Sequence, residues 1–222
     1  MIYWIFIGMK KMFLLLMLFI GINNYAQTVI TDNKLIIPHG DITLYLTKDT
    51  CTYVSKHVIT YANYLKLDKE RDNNWFQDIY KGKYIKDKFV HTGYDLGHLT
   101  PSHITSYDNK LNHDSFSMFN QAPQLAGFNR GVWAQLERNI EDMIGEAKKD
   151  AVIVTGVIYD PNKKVFLAKS RIPIPSSYFK VLFLDVKIQC WIGSNINGLI
   201  TSISLKDLNN LFKTNKMNLT IK

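Results

Sequence analysis

Cysteine is scarce: Cys51 and Cys190 are the only two in 222 residues. That excludes a disulfide-dense scaffold, and their wide separation excludes the closely spaced thiolates of a zinc or redox motif. Whether they join in one bridge or stay as two buried thiols is left open, because distance along the chain does not say whether two side chains meet. Also missing are an internal repeat, a low-complexity tract and a Pro/Gly/Ser-rich linker, so nothing divides the chain. Its length suits one well-buried domain. No apolar run reaches the roughly 20 residues that a permanent membrane helix needs. Acids are outnumbered, 19 Asp and Glu against 27 Lys and Arg, for a net charge of +8. With 46% apolar and 21% charged residues, the composition is that of an ordinary globular protein and favours neither wholesale disorder nor a multi-span membrane protein.

What is present begins at the N-terminus. Lys10 and Lys11 precede the uncharged run 13–22, followed by Asn23, Asn24, Tyr25 and the small residue Ala26. That order is the layout of a secretory signal and predicts cleavage after Ala26. Residues 1–8 add a second apolar piece ahead of the lysines, which points to Met9 as an alternative start. The expected organisation is therefore a signal peptide at 1–26 and a single domain at 27–222, exported to the periplasm or secreted, with no permanent membrane anchor. No cysteine flanks the cleavage point, which argues against lipid attachment. Loss of Lys10 and Lys11 lowers the net charge from +8 to +6, a modest positive potential that favours encounter with polyanions.

Hydrophobic pattern predicts an α+β domain. Runs rich in Val, Ile, Phe and Tyr at 43–46, 151–158, 178–186, 188–192 and 199–205 read as strands. Val132, Leu136, Ile140, Met143 and Ile144 recur at helical spacing, which predicts a helix over 129–148 with Asn129 as its cap. A shorter helix is expected around 205–213. Between these elements, residues 94–128 are crowded with Gly, Pro, His, Asn, Asp and Ser. Such a polar stretch is where chemistry is to be sought.

Three segments in that region carry reactive side chains. Tyr94-Asp95-Leu96-Gly97-His98-Leu99-Thr100-Pro101 places a histidine directly after glycine, where a sharp turn would expose the imidazole. Asn120-Gln121-Ala122-Pro123-Gln124 follows, and then Asn129-Arg130-Gly131-Val132-Trp133-Ala134-Gln135-Leu136-Glu137 opens the predicted helix. Steps of four advance about 40° around a helix, which keeps Asn129, Trp133 and Glu137 on one side. Neutral imidazole takes a proton from water near pH 7. An amide oxygen suits Mg²⁺, which keeps much of its water shell. A base plus a hydrated cation is what phosphodiester hydrolysis requires.

These segments resemble the motifs of the non-specific DNA/RNA endonuclease family, which includes mitochondrial endonuclease G and secreted bacterial nucleases. That family carries Asp-Arg-Gly-His, Asn-x-x-Pro-Gln and Asn-x-x-x-Trp-x-x-Leu-Glu in this order. Val154-Thr155-Gly156 and Pro175-Ser176-Ser177-Tyr178-Phe179-Lys180 are also similar to it, so the resemblance covers most of the chain after the leader. It implies a ββα-metal fold with a mainly antiparallel central sheet flanked by helices. It implies an exported Mg²⁺-dependent endonuclease, Mn²⁺ substituting, that cuts DNA or RNA with little sequence preference, and it leaves room for a homodimer. By resemblance His98 is the general base, Asn129 the protein ligand of a hydrated metal, Glu137 its water-holding or ligating partner, and Asn120 a support for the site.

One departure stands out. Leu96 occupies the place of the family's arginine, removing a cation that would meet substrate phosphate. Arg71 is the favoured replacement, ahead of Arg130 and Arg138. The alternative reading is a degenerate nuclease that binds nucleic acid without cutting it. His91, His103 and His113 have no compact ligand spacing relative to His98, so zinc is not supported. The Asn-rich stretch 108–114 reads as a turn rather than a second metal site.

Overall fold

A computed structural model describes residues 29–31, 35–47, 52–68, 72–78, 92–163, 165–167 and 172–222. The predicted leader, Cys51, Arg71 and His91 lie outside the described residues. The strands in chain order are β1 Val29–Thr31, β2 Leu35–His39, β3 Ile42–Leu46, β4 Thr52–Ile59, β5 Tyr94–His98, β6 Gln121–Leu125, β7 Ala151–Ile158, β8 Val165–Phe166, β9 Pro173–Ile174, β10 Ser177–Leu184, β11 Lys187–Ser194, β12 Ile200–Ile203 and β13 Leu219–Ile221. The α-helices are α1 Tyr61–Tyr64, α2 Asn109–Ser115, α3 Ala126–Phe128, α4 Ala134–Ala147 and α5 Leu205–Thr214.

Seven strands form one sheet in the order β12-β11-β10-β7-β4-β3-β2, and every neighbouring pair is antiparallel. β7 lies at its centre, and all eight of its residues are buried. A strand covered on both faces must be apolar on both, and Ala-Val-Ile-Val-Thr-Gly-Val-Ile meets that demand except at Thr155. Side chains alternate between faces. Ile153, Val157, Tyr178 and Leu182 pack with Leu136, Ile140 and Ile144 of α4. Val152, Val154, Phe179 and Val181 pack with Leu208 and Phe212 of α5. Burying each of the three α4 residues contributes about 1.5–3 kcal/mol. Cys190, on β11, is a buried free thiol.

β5 and β6 pair antiparallel with His98 opposite Gln121 and Asp95 opposite Gln124. With the helical segment that follows, they make the strand-strand-helix unit implied by the resemblance. Gly97 lies within β5, not in a sharp turn as its place before His98 suggests. Its need is space: a Cβ built there lies 2.6 Å from Gln124 Cβ, and Gln124 is fully buried. Gly97→Ala is therefore expected to push β5 off β6 and destabilise the fold by about 1–3 kcal/mol. Urea unfolding checks this, and an unchanged midpoint would refute it.

The predicted helix over 129–148 needs correction at its start. Regular helix begins at Ala134, and residues 129–133 form a wider turn in which the Ala134 N–H bonds the Asn129 carbonyl. Gly131, at φ −98° and ψ −110°, leaves helical geometry altogether, a backbone freedom that glycine supplies. Asn129 is not an N-cap either, because α3 runs directly into it. The wide turn has a consequence for side chains. In a regular helix Asn129 and Trp133 would share a face; here Trp133 is fully buried against Phe128 and Tyr178, while Asn129 looks into a cleft. The stretch 108–114 is also more than a turn: the Asp108 carboxylate accepts from Leu111 N at 2.7 Å and caps α2.

Candidate active site

His98, at the end of β5, is one corner of a three-ring cluster with Trp75 and Phe116, which themselves meet at 5.2 Å. Trp75 lies 4.4 Å away, centroid to centroid, at a tilt of 36°, and Phe116 meets it edge-on at 4.9 Å. These contacts, a tilted ring and a ring edge on neighbouring sides, limit the rotamers open to the imidazole. From there it lines a cleft of about 650 Å³ whose wall also includes Asn129, Glu137, Leu96, Arg130 and Arg138. Three residues that sequence reading took from two separate motifs thus meet in one cavity.

Asn129 is held in a defined orientation. Its Nδ2 donates to Asp95 Oδ2 at 2.9 Å, so the amide oxygen is the end left for a ligand. The same carboxylate takes two hydrogen bonds from Arg130, from Nε at 2.8 Å and a terminal nitrogen at 2.6 Å. Burial alone would raise the Asp95 carboxyl. The hydrogen bonds from Arg130 and Asn129, with the guanidinium charge, outweigh it and hold the group below the usual carboxylate range. The anchor is therefore complete above that range and is lost only as pH falls through the lowered value.

Glu137 comes from the first turn of α4, and its carboxylate lies 3.1 Å from the ammonium of Lys180. Burial raises the Glu137 carboxyl, and the Lys180 charge and hydrogen bond oppose that rise. Burial likewise lowers the Lys180 ammonium, with Glu137 opposing. Nearer the rim, His103 bonds Glu141 at 2.8 Å, a contact that raises its imidazole against the opposing effect of burial.

Asn120 is fully buried behind the cleft. Its Oδ1 accepts from Thr100 N at 3.0 Å, and its Nδ2 donates to the carbonyls of Thr100 and Ser115, each at 2.8 Å. It splices the chain leaving His98 to the end of α2 and does not line the cleft. Of the arginines weighed against the Leu96 departure, Arg130 and Arg138 line the cleft; Arg71 is outside the described residues. His113 pairs with Asp72 at 2.6 Å and stacks on Phe76, away from the cleft lining.

Residues 22–219 match the DNA/RNA non-specific endonuclease family. The chain belongs to that family. Among its relatives, human mitochondrial endonuclease G is 26% identical over 103 residues, which make up 42% of this chain and 34% of that protein. A nuclease of Nostoc sp. is 30% identical over 109 residues, 49% of this chain and 36% of the relative. A salivary endonuclease of Lutzomyia longipalpis is 27% identical over 94 residues, 39% and 23% respectively. The matched part thus spans about a third or less of these curated relatives. A chain in the crystal structure of an EndoG/EndoGI complex superposes with a TM-score of 0.68 at 18% identity, covering 79% of this chain and 82% of that one. This likeness agrees with the ββα-metal, mainly antiparallel architecture described above.

In this member of the non-specific endonuclease family, two site residues escaped the sequence reading. Asp95 has no role that the motif spacing alone assigns, yet it orients Asn129. Lys180 likewise has no role that its segment alone assigns, yet it forms an ion pair with Glu137. A lysine inside the apolar run Tyr-Phe-Lys-Val-Leu-Phe-Leu is a visible anomaly, since an unpaired charge is not tolerated in a doubly covered strand.

Proposed function

We propose that the chain is an exported, Mg²⁺-dependent endonuclease that hydrolyses phosphodiester bonds in DNA or RNA with little sequence preference. The observation that carries this reading is the convergence of His98, Asn129 and Glu137 on one cleft of about 650 Å³. Family membership supports the reaction class, and the positive net charge, +8 for the full sequence and +6 without Lys10 and Lys11, supports a polyanionic substrate. A signal-like N-terminus supports export to the periplasm or beyond, and no described helix is long and apolar enough to cross a membrane.

The residues fit a hydrated divalent cation. Asn129 offers one oriented amide oxygen and Glu137 a carboxylate. Among the described residues no cluster of three or more His, Cys, Asp or Glu side chains stands ready to cage an ion. Such a sparse oxygen set suits Mg²⁺, with Mn²⁺ as a substitute, because Mg²⁺ retains several waters and needs few protein ligands. When bound, the cation supplies charge stabilisation at the phosphate and the departing oxygen. His98 removes a proton from the attacking water at an imidazole nitrogen. Asn129 and Glu137 would hold the cation and its waters, Asp95 keeps the Asn129 amide turned outward, and Asn120 fixes the segment that follows His98. Arg71 remains the favoured source of the cation lost with Leu96; Arg138 lines the cleft as a second candidate, while the charge of Arg130 is paired with Asp95.

The test is degradation of supercoiled plasmid, linear DNA and RNA by the protein lacking residues 1–26, with Mg²⁺ and with chelator. Metal-dependent cutting of any of the three is expected. Salt-dependent binding without cutting would instead identify a degenerate nucleic-acid binder.

A further inference from the structure

The lysine buried under the cleft has three donors and meets three acceptors, each from a different part of the fold. Lys180 is 1% exposed. Its Nζ donates to Thr155 Oγ1 at 2.9 Å on the neighbouring strand β7 and approaches the Leu99 carbonyl at 3.5 Å, one residue beyond His98. It pairs with Glu137 Oε1 at 3.1 Å on α4, and it lies 5.1 Å from the centroid of the Trp133 ring. An ammonium has three N–H groups and no acceptor, so this environment commits all of its hydrogen-bonding capacity. Thr155 stands opposite both Ser55 and Lys180 in the sheet register, and Ser55 Oγ bonds Thr100 Oγ1 at 2.5 Å. A continuous polar rung therefore runs beneath the site, from the chain after His98, across the sheet, to the carboxylate of α4.

We propose that Lys180 is a positioning residue of the active site, fixing Glu137 and the segment after His98 relative to each other through a single buried ammonium. An apolar side chain would fill the same volume between sheet and helix, and replacing buried ion pairs by hydrophobic residues is often neutral or stabilising. Packing alone therefore does not call for a lysine here. Geometry does: β5 and α4 reach the cleft from separate parts of the fold, and Lys180 contacts the output of both. This inference rests on the proposed nuclease reading for its effect on turnover, but not for its effect on the Glu137 carboxylate.

The experiment compares wild type with Lys180→Met and Thr155→Val. The second variant leaves every charge in place and serves if the first does not fold. For Lys180→Met, per folded molecule, kcat on plasmid is expected to fall about 10- to 100-fold and Mn²⁺ affinity about tenfold, with KM for DNA within about twofold. Thr155→Val is expected to lower kcat about threefold to tenfold by releasing one of the three anchors. Crystals of either variant are expected to show the Glu137 side chain displaced. A Glu137 carboxylate that stays in place, or wild-type kcat and Mn²⁺ affinity accompanied only by lower stability, would overturn the proposal and leave Lys180 a structural residue. If wild type fails to cut but Glu137 still moves in the variants, the nuclease reading falls and the positioning role stands.

Discussion

Replacing His98 by alanine is expected to lower kcat about 10²- to 10⁴-fold at saturating Mg²⁺, the range that a positioned general base contributes. The argument is one of geometry followed by chemistry. The imidazole sits 4.4 Å from Trp75 and 4.9 Å from Phe116 in a cleft shared with Asn129 and Glu137, and no other histidine among the described residues combines the cleft with such an aromatic cluster. His103 also lines the cleft but is engaged with Glu141. Because Asn129 is oriented by Asp95 and not by His98, Mn²⁺ affinity is expected to stay within about twofold of wild type, well short of the 10- to 100-fold losses that follow removal of a ligand's own support. Initial nicking rates and Mn²⁺ titration of the folded variant give both numbers. Retention of full activity would remove His98 from the mechanism, whereas loss of activity together with metal binding would mean that the site had collapsed.

Acid is expected to weaken the fold through a different histidine. His57, on β4, is 1% exposed, with Nε2 3.3 Å from the Tyr107 hydroxyl, which itself donates to Asp41 Oδ2 at 2.8 Å. Burial first, and the nearby charge of Lys180 second, push its imidazole down to about 3. The unfolded chain takes up this proton near the ordinary histidine value of about 6.5, so between those two pH values it binds more protons than the folded protein. Stability is then greatest above about pH 6.5 and declines as pH falls toward 3, by about 4–5 kcal/mol from this one group across the whole window. Urea unfolding at pH 7 and pH 4, on wild type and His57→Leu, isolates the effect from titrating carboxylates. Wild type should lose about 3 kcal/mol more than the variant between the two pH values. Equal losses would show that His57 does not carry the acid sensitivity.

Much of the architecture is written locally. β7 occupies the predicted 151–158, and β10, β11 and α5 fall within two residues of their predicted boundaries, because long apolar β-branched or aromatic runs and a clear helical period dominate over competing signals. The elements that local pattern missed are those whose character comes from their partners. β4, Thr-Tyr-Val-Ser-Lys-His-Val-Ile, is half polar because Ser55 and His57 belong to the polar layer under the site. α2 reads as a turn in the sequence because its buried face is made of Asn112, Asp114 and Ser115 as well as Leu111. The wide turn at 129–133 keeps helical spacing in its residues while breaking helical geometry at Gly131, so periodicity alone reads through it.

The candidate site divides in the same way. Sequence by itself determined the candidate groups, His98, Asn129 and Glu137, and the order of the motifs that hold them, because side-chain chemistry belongs to the residue. It also determined the mixed, strand-rich fold, because side-chain alternation and helical period are local properties. Only the tertiary structure decided that Asp95 orients Asn129 across 34 residues and that Lys180 reaches the Leu99 carbonyl across 81. Those contacts depend on strand register and on which helix face meets the sheet, and two residues so far apart along the chain share no local signal from which their meeting could be read.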